Sequence, residues 1–82
     1  MDIVVHQLKT WSRYFAAVRD GIKTFEIRKN DRGFQVGDIL QLNEYNPVTK
    51  QFTGEKLEKS VSYMLHGPHF GVEAGFVVMG IK

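Results

Sequence analysis

Residues 21–31 read GIKTFEIRKND, a stretch that crowds Lys23, Glu26, Arg28, Lys29 and Asp31 around two apolar side chains, Phe25 and Ile27. Drawn out as a strand, it puts Phe25 and Ile27 on one face and Thr24, Glu26 and Arg28 on the other. This reading expects the apolar pair to meet the core. The charged face then looks outward, either as plain solvated surface or as a site.

The chain on either side supports a strand here. Residues 3–9, IVVHQLK, are short and rich in β-branched side chains, which favours a first strand. Thr10 is positioned to cap a helix over residues 11–19. In that helix Trp11, Tyr14, Phe15 and Val18 form one apolar stripe at i, i+3, i+4 and i+7, and Asp20-Gly21 ends it. After Lys29 comes a turn-rich loop, NDRGFQVGD, in which Gly33 and Gly37 serve turn geometry. Alternating strands are expected over 38–45 and 57–65, the second with Leu57, Val61, Tyr63 and Leu65 on one side, joined by a hairpin tip at NPVTKQFTG. The last segment, GFVVMGIK, is apolar on both faces, the mark of an interior strand. The sum is a single mainly-β α+β domain over residues 1–82. About five strands curl into a small barrel sealed by a helix near residues 11–20.

Composition sets the limits. A chain of 82 residues without cysteine has no disulfides or thiolate zinc site to supplement its core, so 43% hydrophobic and 12% aromatic residues must suffice. Eleven basic against nine acidic residues leave a net charge of +2, so any anion-binding site is local rather than global. No run approaches the roughly 20 apolar residues of a membrane span, and MDIVVHQLK does not read as a signal peptide. A cytoplasmic protein is expected. The three histidines, His6, His66 and His69, are too few and too scattered for zinc, so neither metal nor cofactor is expected. His6, on the first strand, reads as a hydrogen-bonded structural histidine.

The order strand, helix, then G-x-K-x-x-E-x-R leading to G-D, carried by Gly21, Lys23, Glu26, Arg28, Gly37 and Asp38, resembles the ASCH domain, a small β-barrel of the PUA-like superfamily. HQLKTW, the run to GDIL, YMLHG and GFVVMGIK are closer still to a compact group of bacterial and phage ASCH-like proteins. The resemblance covers essentially the whole chain. It implies a cleft beside the helix and RNA binding. One branch of that family hydrolyses the acetyl amide of N4-acetylcytidine, with a threonine three residues after the motif lysine. Here that position holds Glu26.

Arg28 is the expected anchor, because its planar fork suits phosphate or a base edge. Lys23 adds a flexible charge, and Glu26 orients Arg28 or accepts from a base amino group. Lys29 and Arg32 are secondary candidates for phosphate, and His66 for a base contact. Trp11, Tyr14 and Phe15 read as core, which leaves Phe34, Tyr45, Phe52 or Phe70 as the base-stacking platform. The favoured function is a non-catalytic module for single-stranded or looped RNA, or for a nucleotide. The alternative is a small amidohydrolase acting on an acylated nucleoside, using Lys23, Glu26 and Glu73. A protein partner is the third reading.

Overall fold

The alternating sequence VHQLKTW turns His6, Leu8 and Thr10 inward and leaves Gln7, Lys9 and Trp11 outside, which is a strand of period two. The computed structural model describes residues 2–82. Its elements are β1 (Val5–Trp11), α1 (Ser12–Arg19), β2 (Phe25–Lys29), β3 (Ile39–Asn46), β4 (Gln51–His66) and β5 (Phe76–Ile81). The α+β composition is as expected. The strands form one mixed sheet in the order β1-β3-β4-β5-β2. β1 runs parallel to β3, with Val5 opposite Ile39 and Trp11 opposite Tyr45. The remaining pairs are antiparallel, and β5 lies between two neighbours, as its apolar sequence indicates.

β4 bends the sheet. Residues 51–60 pair with β3, and residues 61–66 pair with β5. A register shift between Val61 and Tyr63 falls at the changeover. The bulge reverses the side-chain phase, so Val61 is buried while Tyr63 is exposed. The expected shared face of Leu57, Val61, Tyr63 and Leu65 is therefore broken at Ser62.

The curled sheet encloses a core of Leu8, Leu40, Leu42, Val61, Val77, Met79 and Ile81, covered by Phe15 and Val18 of α1 and by Phe34 of the β2–β3 loop. The helix departs from expectation at its start. It begins at Ser12, its N-cap is Trp11, and no side chain caps it. Trp11 still belongs to β1 and points outward, 48% exposed, and Tyr14 is 44% exposed. Only half of the expected stripe, Phe15 and Val18, is core. The helix end is as expected. Gly21 sits at φ +75, and Gly21 and Ile22 return their N–H groups to the carbonyls of Val18 and Ala17, the paired bonds of a Schellman ending.

The sheet does not close into a barrel. Among the described residues no backbone ladder joins the outer strands β1 and β2. Two arginines cross the gap instead: Arg28 Nη2 donates to the carbonyl of Lys9 at 3.2 Å, and Arg32 Nη1 to that of Gln7 at 2.6 Å. Guanidinium groups at these carbonyls stand where a ladder's N–H groups would, so the edges meet as a side-chain seam. Among the described residues no helix is long and apolar enough to cross a membrane.

Candidate functional site

β5 decides which way β2 faces. Val77, Met79 and Ile81 are buried. Directly opposed residues share a face, so Arg28 opposite Val77 and Glu26 opposite Met79 must point inward too. β2 is thus reversed from the expected orientation. Phe25 and Ile27, expected in the core, are 43% and 54% exposed, whereas Glu26 is only 3% exposed. A strand judged alone favours burying its apolar side, but here the phase of the interior strand overrides that preference.

The inward charges are paired with one another. Lys23 Nζ, placed just past the helix end, reaches Glu26 Oε1 at 2.7 Å and the Phe25 carbonyl at 2.6 Å. Arg28 Nε donates to Glu26 Oε2 at 3.0 Å, and Nη2 also meets Thr10 Oγ1 at 3.3 Å. Each carboxylate oxygen thus holds one cation, and two positive charges face one negative. This is a part-buried ion network centred on a buried carboxylate rather than the solvated surface pair that the outward orientation implied. Arg28 is correspondingly a structural tie as well as a candidate ligand group.

Above the network a cleft of about 420 Å³ opens along the seam. Lys9, Trp11 and Tyr14 form the wall from β1 and α1, and Phe25 and Ile27 form the wall from β2, with Lys23, Glu26, Arg28 and Thr10 at the floor. The rings of Trp11 and Tyr14 lie 6.4 Å apart between centroids, their planes within 22°. Lys23 Nζ stands 4.9 Å from the Phe25 ring centroid. Thr10 Oγ1 is buried and donates to the Leu8 carbonyl.

The other candidates divide. Lys29 and Arg32 line a smaller depression of about 200 Å³ with Leu8, Asp31 and Phe34, and Arg28 borders both hollows. His66, at the end of β4, and Glu73, in a separate hollow with Val72 and Phe76, lie outside the cleft lining. Glu73 therefore does not line the cleft that Lys23 and Glu26 share. Among the described residues no three His, Asp or Glu side chains are grouped to hold a metal ion.

None of the four aromatics expected to stack lines the cleft. Phe34 is core and meets His6 edge-on at 4.7 Å, Tyr45 and Phe52 pack on each other at 5.0 Å, and Phe70 projects from the β4–β5 loop. The aromatics of the site are Trp11, Tyr14 and Phe25. Extending the alternation of His6, Leu8 and Thr10 one step further would have put Trp11 outside. His6 is the structural residue expected, bonded through Nε2 to Asp38 Oδ2 at 2.8 Å.

The family model for the domain of unknown function DUF3850 matches residues 5–81. The chain belongs to the DUF3850 family. Its match therefore takes in every element that builds the seam and the cleft. A protein of Escherichia phage P2 bearing the description "Uncharacterized 12.9 kDa protein in GpA 3′ region" is 40% identical to this DUF3850 domain over 58 residues, or 71% of the chain and 51% of the phage protein. The chain spans about half the length of that curated relative.

Proposed function

We propose that the seam cleft binds RNA, single-stranded or looped, or a nucleotide, and that the domain is a non-catalytic binding module. The observation that carries this reading is the buried Glu26 carboxylate holding Lys23 and Arg28 side by side at the floor of the cleft. A carboxylate so placed fixes two cations that would otherwise be mobile, and each has more N–H groups than Glu26 can accept. Arg28 also borders the hollow of Lys29 and Arg32, which gives phosphates a path along the seam beside a base in the cleft. The resemblance to the ASCH domain, with the RNA binding it implies, supports the same reading. Binding is preferred to hydrolysis of an acylated nucleoside because Glu26 stands at the hydroxyl position of that branch and Glu73 lies outside the cleft lining.

Titration with short mixed-sequence single-stranded RNA at several salt concentrations tests the proposal. About three phosphate contacts give a log–log slope near −2 for single strands. Absence of binding at low salt would remove it, and release of cytidine from N4-acetylcytidine would replace it with the hydrolytic reading.

A further inference from the structure

The floor of the cleft and its walls address different parts of a ligand. Lys23 uses two of its three N–H groups on the Phe25 carbonyl and Glu26. Arg28 uses Nε on Glu26 and Nη2 on the Lys9 carbonyl and Thr10. The third ammonium proton and Nη1 remain for a ligand. The acceptors beneath them, Glu26 and Thr10, are each only 3% exposed and already bonded. The side-chain acceptors of the floor are thus hidden, and the carbonyls of Phe25 and Lys9 beside them already accept from Lys23 and Arg28. Beside it, Trp11 and Tyr14 present nearly parallel rings at about half exposure, and Phe25 lines the same cleft from β2. Half-exposed aromatic rings along a cleft are stacking surfaces for a flat heterocycle.

We infer that the cleft takes one nucleobase stacked on Trp11 and Tyr14 with a keto edge toward Lys23 and Arg28, and so selects uracil and guanine over cytosine and adenine. This rests on the nucleotide-binding reading above. At the edge away from the ribose, uracil and guanine present a carbonyl oxygen where cytosine and adenine carry an exocyclic amine; the one carbonyl of cytosine, O2, sits beside the glycosidic bond and is turned back toward the sugar. An amine against two cationic donors leaves desolvated N–H groups without acceptors, and such mismatches discriminate strongly.

The chain contains one tryptophan, so intrinsic fluorescence reports on Trp11 alone. The experiment titrates the full chain with uridine and cytidine 5′-monophosphates and with five-nucleotide RNAs of each base, following fluorescence and calorimetric heat together. The uridine ligands are expected to bind about tenfold tighter or more and to quench Trp11. Trp11→Ala should lose about tenfold of the affinity for the uridine pentanucleotide, and Trp11→Phe, which keeps a ring, about threefold or less. Equal affinity for both bases, binding without quenching, or a Trp11→Ala variant that binds like the parent would overturn the inference and leave nucleotide binding intact. No heat and no quenching with any ligand would remove both.

Discussion

Among the described residues two carboxylates are buried, and they are used in opposite ways. Asp38 takes the His6 ring and the Gln35 N–H, at 2.8 and 3.0 Å, on the same oxygen, Oδ2. Its partners are used up in fastening the β2–β3 loop to β1. Glu26 gives each oxygen to a different cation, and those cations border a cleft. Burial alone therefore does not mark a site. What marks Glu26 is the donor capacity left on its partners.

The largest expected effect comes from Glu26→Gln. A glutamine must turn its NH₂ toward either Lys23 or Arg28, donor against donor, and both cations lose their counter-charge. Breaking such a network around a buried carboxylate costs about 2–4 kcal/mol, which lowers the melting temperature by about 10 °C or more. A thermal scan checks this, and a melting temperature within two degrees of the parent, or about that, would show Glu26 to be solvated.

Arg28→Lys comes next. Lysine keeps the charge but cannot span Glu26, Thr10 and the Lys9 carbonyl at once. A loss of about 1–2 kcal/mol is expected in urea unfolding, with RNA affinity down about tenfold. Full affinity in a destabilised variant would make Arg28 a seam residue only.

Asp38→Asn should matter least. An amide oxygen at the Oδ2 position still accepts from both His6 and Gln35, so only the charge assistance is lost, below about 1 kcal/mol. RNA affinity should not change. If this swap costs as much as Glu26→Gln, the contrast between one-oxygen and two-oxygen bonding fails.

The element order and the interior position of β5 were legible in local patterns, as were the helix end at Gly21 and the structural role of His6. The inward turn of Glu26 and Arg28 was not, because it is set by their register against Val77 and Met79, far along the chain. The same applies to Tyr63, reversed by a bulge that alternation does not reveal. Trp11 was misread because a helical stripe and a strand's outer face claim the same residue at the β1–α1 junction. Lys23, Glu26 and Arg28 are grouped as candidates by the motif that resembles the ASCH domain. The partners that close the seam, the Lys9 carbonyl and Thr10, carry no signature in sequence.

The seam also has a place in the order of folding. β3 and β4 are joined by a tight turn in which the Asn46 side chain accepts from the N–H groups of Val48 and Thr49, and β5 follows β4 directly in the sheet. β1 must wait for β3 across the helix, β2 and a loop, and β2 must find a partner near the chain's other end, with Phe25 opposite Gly80. Long-range closures cost chain entropy before their contacts return any of it. The β3–β4–β5 meander should therefore nucleate, and the two outer strands should dock late. Leu42→Ala is expected to slow folding, with a φ-value well above that of Glu26→Gln, which should mainly speed unfolding. Equal φ-values would contradict this order. A chain that folds this way acquires its cleft only at the final step, so partly folded molecules carry no competent pocket.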